Sequence, residues 1–496
     1  MKQVEIYRVF EVILPGTSAE GCFHSGDVTH KVKGFLSGDD RVTLRFMPDK
    51  VGEWSYRITS DEETVSGEFC CTPAAEGNHG PVQVHGRKFA YADGSRYMPF
   101  GTTCYGWAHQ ADALRCQTLE SLKTSPFNKV RMLLFPKSMV YNTGEPRGLP
   151  FRKGSDGNWD VRQPNFLFWE DLEHQILELD KLGIEADLIL FHPYDRWGFA
   201  TLSREDSLTY VEYCVSRLGA YKNIWWSLAN EYDLVPGKTE EDWDAFAQRI
   251  YQLDGAKHLL SIHNCCQPYP DRDWMTHCSI QTNLCRQTLT LGWAYQKPVI
   301  IDECGYEGNI EFTWGNLSGF EMANRFWTVM ACGGYCTHGE TFFREDEILW
   351  WGKGGELTGS SVERIAFLRT LLEELPGVPE AALGSLAGNP NGNETDGGMA
   401  AFGAAMMRMP EDSRTAFIAE LIPMMCANPD HMLYYLGRTC PAWLDVRCPG
   451  AGAFRAEVID IWDMTRTPAG EITGGGRIKL PAKEGQAVLL TRIREG

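Results

Sequence analysis

The chain has 496 residues, 43% of them hydrophobic and 23% charged, with a formal net charge of −19. That length is enough for about three domains. The acidic balance disfavours nucleic acid, because its field repels a phosphate backbone, and no run of about 18 apolar residues marks a membrane span.

The opening MKQVEIYRVFEVILPG alternates apolar and polar positions without a small-residue cleavage site, so it reads as a β-strand and not a signal peptide. Residues 1–78 continue as short aromatic and β-branched runs, from VEIYRVFEVIL to VSGEFCCTP, and predict an N-terminal β-sandwich. AAEGNHG, residues 74–80, reads as a linker.

Over residues 81–377 the pattern changes to strands alternating with amphipathic helices. The strands are YMPFGTT, NKVRMLLF, IEADLILF, NIWWSLAN, HLLSIHN, CSIQTNL, KPVIIDE and GGYCTHG. Helical stretches include FLFWEDLEHQILELDKLG, SREDSLTYVEYCVSRLG and EEDWDAFAQRIYQL; the last, SVERIAFLRTLLEEL, stops at Pro376-Gly377. Eight such units predict an α/β fold, a (β/α)8 TIM barrel flanked by two small all-β sandwiches. An open doubly wound sheet is the alternative, disfavoured because no glycine-rich phosphate loop follows a strand. The helix between strands five and six is the weakest. Residues 380–496 read as a C-terminal β-sandwich, with TAFIAELIP, HMLYYLG, AFRAEVIDIWD, GRIKLP and QAVLLTRI as strands and SLAGNPNGNETDGG, residues 385–398, as a loop.

Function in a barrel of this kind sits where the strands end. Those ends carry Trp107, Arg131, His192, Trp197, Asn230, Glu231, Asp233, His263, Asp302, Glu303, His338 and Glu340, with Trp351 close behind. Carboxylates, amides, imidazoles and indoles together suit a carbohydrate: polar groups bond hydroxyls and rings stack on sugar faces. Glu231 and Glu303 end strands four and seven, nearly opposite in an eight-stranded barrel, as a glycosidase pair requires. Asp302 adjoins Glu303 but points to the other side of its strand and reads as structural. Asp233 lines a subsite or caps a turn. A metal-dependent barrel hydrolase is the chemical rival, with His192, His263, Glu303 and His338 as candidate ligands, yet no HxH or HExxH occurs, and Cys332-x-x-x-Cys336, the nearest approach to a metal pattern among the cysteines, reads as small buried hydrophobes. No GxSxG supports a serine hydrolase. A catalytically inactive carbohydrate-binding protein is the non-enzymatic alternative.

The motifs SLANEYD, VIIDECGYEG and THGETF resemble those of the clan of retaining (β/α)8 glycoside hydrolases, and most closely its cellulase-like subgroup that includes the apiosidases. VGEWSYRI, residues 51–58, is similar to the end of that subgroup's N-terminal sandwich. The resemblance implies Glu231 as general acid/base, Glu303 as nucleophile, Asn230 on the sugar 2-hydroxyl and Arg131 supporting the nucleophile. It implies sugar contacts at His192 and His263. His338, Glu340, Trp107, Trp197 and Trp351 are further candidates for substrate binding. The clan's tyrosine on strand six is missing from CSIQTNL, and Tyr306 or Tyr335 would have to replace it. No metal or cofactor is implied. The expected partner is a carbohydrate, with no nucleic acid and no membrane, and a homo-oligomer is compatible. Sixteen cysteines without an export signal suggest free thiols in the cytoplasm, and hence exo action on short oligosaccharides or glycosides.

Overall fold

The computed structural model describes residues 2–381, 397–414, 417, 424–428, 430–448 and 450–494. Contacts divide the chain into two units, residues 1–279 with 344–356, and residues 280–343 with 357–496.

The first unit opens with a five-stranded sheet, in spatial order Lys2–Glu5, Thr64–Thr72, Gly52–Ser60, Ala19–Ser25 and Val28–Lys33, and a three-stranded sheet, Phe10–Pro15, Arg41–Phe46 and Phe35–Gly38. Alternation along these strands sends Phe10, Phe23, Phe46, Trp54 and Phe69 into one core. There Phe10 stacks on Phe69 at 4.1 Å and Phe23 on Phe46 at 4.3 Å. A buried ion cluster fixes this layer to the barrel helices Phe166–Lys181 and Arg204–Leu218. Glu173 accepts from Arg217 Nε at 2.6 Å and from Arg45, which lies on a sheet strand. Tyr213 of the second helix donates to the Leu36 carbonyl at 2.9 Å.

The barrel strands are β1 (Phe100–Thr103), β2 (Lys129–Leu133), β3 (Glu185–Phe191), β4 (Ile224–Ala229), β5 (Leu260–Ser261), β6 (Cys278–Gln281), β7 (Val299–Glu303) and β8 (Tyr335–His338). They form one parallel, nearly closed eight-stranded sheet, the expected (β/α)8 fold. Within the first unit, register pairs Thr103 with Arg131, Arg131 with Asp187 and Asp187 with Trp225. A single parallel bridge, His263 to Ser279, joins the chain after β5 to β6. The residues of β2, β3 and β4 are buried throughout, the charged Lys129, Arg131, Glu185 and Asp187 among them.

The two tryptophans of β4 separate onto its two faces. Trp225 donates to Glu185 at 3.0 Å and packs against Phe89 and Tyr97, which belong to a small sheet over residues 82–97. Trp226 donates to Asp254 at 3.1 Å, and His258 meets it edge-on.

In the second unit, the helix Gly319–Ala331 carries Asn324 and Glu321, which bond Tyr435 and Arg438 of the C-terminal β region. That region holds a six-stranded sheet and a two-stranded sheet around a core that includes Phe454, Val488 and Leu490.

Several local expectations differ from the structure. The run HLLSIHN is a strand only at Leu260–Ser261, and no helix separates β5 from β6. A hairpin, Phe151–Lys153 with Trp159–Pro164, precedes the helix Phe166–Lys181. The C-terminal region is not wholly β: Gly397–Met407 is a helix, which takes in the last two residues of the expected 385–398 loop. The rest of that loop, and the expected strand TAFIAELIP apart from Phe417, lie outside the described residues.

Candidate active site

In the first unit β4 ends at Ala229, and the chain turns sharply through Asn230 and Glu231. Glu231 has φ +51° and ψ +58°, a left-handed backbone that is uncommon for a residue with a side chain. Tertiary hydrogen bonds hold the turn. The Asn230 N–H donates to the Phe191 carbonyl at 2.9 Å, and the Tyr232 N–H to the His263 carbonyl at 2.9 Å. The Glu231 N–H donates to His263 Nδ1 at 3.4 Å, which puts that ring's proton on Nε2.

The side chains are oriented as firmly. Asn230 Oδ1 accepts from the Tyr105 hydroxyl at 3.0 Å and from Arg131 Nη2 at 3.1 Å. A guanidinium only donates, so the amide oxygen is fixed on that side and the amide NH2 is turned away from it. The Tyr194 hydroxyl donates to Glu231 Oε2. Arg131 also reaches Asp187 at 3.3 Å and Ser227 at 3.4 Å, and Lys129 bonds the same Asp187 at 2.7 Å. Arg131 is thus a link of a buried polar layer and a direct partner of Asn230.

Lys137 lies just beyond β2 and is 3% exposed. Its ammonium stands 4.0 Å from the ring centre of Trp351, 4.3 Å from Tyr105 and 4.6 Å from Tyr194. Sequence reading passed over this residue, since a lysine after a proline at a strand end looks like solvated loop. The run of aromatics at the ends of β1 and β3 was the one available signal.

The other residues expected to contact sugar are placed as follows. Trp107 is fully buried in a short 3₁₀ turn and presents no face to a ligand. Trp351 is 3% exposed, with Lys137 over one face and Tyr105 edge-on at 5.8 Å. Trp197 is half-buried, bonds Glu145 at 3.3 Å and lies under the Arg196 guanidinium. His192 is fully buried, stacked on Phe135 at 4.3 Å, with Nε2 3.2 Å from the Phe135 carbonyl. Burial, with the nearby Lys137 charge, pushes its pKa down to about 3, so the ring is neutral. His263 is likewise buried and serves the Glu231 turn. Asp233 accepts backbone N–H groups of Cys265, Cys266 and Gln267 at 2.7, 2.7 and 3.1 Å. It therefore ties down the loop after β5.

In the second unit β7 delivers Glu303, partly exposed, at its last position. The backbone around it is fastened: the Thr282 N–H donates to the Glu303 carbonyl at 2.9 Å, and Arg325 donates to the Cys304 carbonyl. Asp302 is fully buried and accepts from Thr337 at 2.7 Å, as its opposite orientation on the strand requires. Tyr306 and Tyr335, the two candidates for the strand-six tyrosine, are both buried. The Tyr306 ring occupies the space a Cβ at Gly339 would need, 2.4 Å away, so only glycine fits there.

His338 and Glu340 are buried as well. Glu340 accepts N–H groups of Thr358 and Gly359 at 2.8 and 2.9 Å, and Glu307 those of Ser360 and Ser361 at 2.8 and 3.1 Å. These two carboxylates hold the start of the helix Ser361–Glu374. Burial, opposed by those N–H groups and aided by the Glu307 charge, raises Glu340 to about 7. Burial holds His338 down to about 3, so its 3.6 Å approach to Glu340 is no ion pair at neutral pH. Glu307, His338 and Glu340 could geometrically hold a metal ion. Their carboxylate oxygens are already engaged by backbone N–H groups, however, so the donor set fits a helix cap better than a metal.

Residues 83–359 match the family profile described as "Apiosidase-like, catalytic domain". Residues 4–61 and 422–491 match two domains of unknown function, DUF5060 and DUF5605. No curated protein matches. Among solved structures, a candidate glycoside hydrolase from Bacteroides vulgatus ATCC 8482 is 32% identical, with a TM-score of 0.87 over 99% of this chain and 100% of its own. A glycoside hydrolase family 5 structure from the same strain is 15% identical, with a TM-score of 0.62 over 84% of this chain and 94% of its own, and shares the fold. The apiosidase-like match spans more than half of the sequence, so the chain belongs to that catalytic-domain family and is a glycoside hydrolase.

Proposed function

We propose that the protein is a retaining glycosidase that works by double displacement and removes terminal sugars from short glycosides. Glu303 attacks the anomeric carbon while Glu231 gives its proton to the leaving oxygen; Glu231 then takes a proton from the water that releases the sugar. Asn230 donates its amide N–H to a sugar hydroxyl. The observation that carries this reading is the Asn230–Glu231 turn. A strained backbone is held by tertiary bonds, one tyrosine hydroxyl is aimed at each side chain, and the amide oxygen is already engaged. The end position of Glu303 on β7 agrees with it.

The test is a panel of aryl pentosides and hexosides in both anomers, which reads exo action directly. Glu303→Gln and Glu231→Gln serve as controls. Glu303→Gln is expected to lose about a thousandfold or more in kcat/KM with its fold intact. Proton NMR of the first anomer released distinguishes retention from inversion. Parent-level turnover by Glu303→Gln, or an inverted first product, would refute the mechanism.

A further inference from the structure

The structure assigns Lys137 as a positioning residue of the acid/base machinery. It acts through Tyr194 on Glu231, and so rests on the acid/base role proposed above.

Three observations converge. First, a buried ammonium faces three rings at 4.0–4.6 Å, a cage in which cation–π attraction is strong because water is excluded. Second, two of those rings are the tyrosines whose hydroxyls donate to Asn230 and Glu231. One cation therefore fixes the tilt of both phenols, and a positive charge over a phenol face also makes its O–H a better donor. Third, the third wall is fastened to the same place: the Tyr105 N–H donates to the Trp351 carbonyl at 2.9 Å.

The role predicts a specific kinetic pattern. A phenyl glycoside needs its leaving oxygen protonated, whereas a 2,4-dinitrophenyl glycoside of the same sugar does not. Lys137→Met, which keeps length and loses charge, is expected to cost about a hundredfold in kcat/KM on the phenyl glycoside. On the dinitrophenyl glycoside the loss is expected to be only a few-fold. Tyr194→Phe is expected to give the same split, and the double variant to be little worse than either single one. Lys137→Arg, which keeps a cation able to face the rings, is expected to recover part of the loss. Should Lys137→Met not fold, Lys137→Gln with Tyr194→Phe carries the same comparison. Equal loss on both substrates, no loss on either, or additive effects in the double variant would overturn the assignment. Glu231→Gln run alongside separates the two levels. If it keeps phenyl glycosidase activity, the acid/base reading itself is wrong. If it loses that activity while Lys137→Met does not, only the role of Lys137 is wrong.

Discussion

Glu185 offers a measurement that needs no substrate. Its carboxyl lies inside the barrel, 3% exposed, and accepts the Trp225 indole N–H at 3.0 Å. Burial raises it from 4.5 to about 8, against the opposing pull of Lys222 and the indole bond. A carboxyl that binds its proton more tightly when folded weakens the fold as pH rises. The loss begins above the unfolded value of 4.5 and continues to the folded value near 8. At about 1.4 kcal/mol per pKa unit, the ionisation penalty should grow by about 3 kcal/mol between roughly pH 5 and pH 8. Glu185→Gln keeps an oxygen for Trp225 and removes the ionisation. Its melting temperature should therefore lie close to the parent's near pH 5 and exceed it by roughly 3–5 °C near pH 8. Thermal unfolding followed by fluorescence across that pH range tests this. A constant difference between the two proteins from pH 5 to pH 8 would show that Glu185 is not the titrating group.

Glu173→Gln should destabilise the first unit by about 3 kcal/mol, because it leaves the buried guanidinium of Arg217 without its counter-charge and Arg45 with Glu11 alone; thermal melting reads the change. Asp233→Ala should cost about 1–2 kcal/mol and speed hydrogen exchange at the amides of residues 265–267, and unchanged protection there would refute its role as a loop tie.

The barrel was readable because buried parallel strands make continuous apolar runs and the helices between them make amphipathic ones. Glu231 and Glu303 were readable for the same reason: each is the first acid that a buried strand can place at an edge, apart from Asp302 on the other face. What escaped was mainly the difference between standing at a rim and being exposed there. Trp107, His192, His338 and Glu340 all stand at or just after strand ends, yet each is buried. Sequence position does not reveal which loop folds back over such residues. Lys137 escaped for the complementary reason, since its meaning depends on rings some 30, 60 and 210 positions away. The helix Gly397–Met407 has a sequence, GGMAAFGAAMM, with no polar face, so periodicity did not mark it, although its four alanines and three methionines favour a helix.

The left-handed backbone at Glu231 bears on how this enzyme could be engineered. A non-glycine residue in that conformation costs about 1 kcal/mol, which glycine would avoid and asparagine would reduce. A redesign scored on thermal robustness alone would therefore rank position 231 among its first gains and remove the carboxylate. On the roles proposed above, a search for hardier variants has to hold that position fixed, together with Asn230, Tyr194 and Tyr105, and look for its gains on the far side of the barrel.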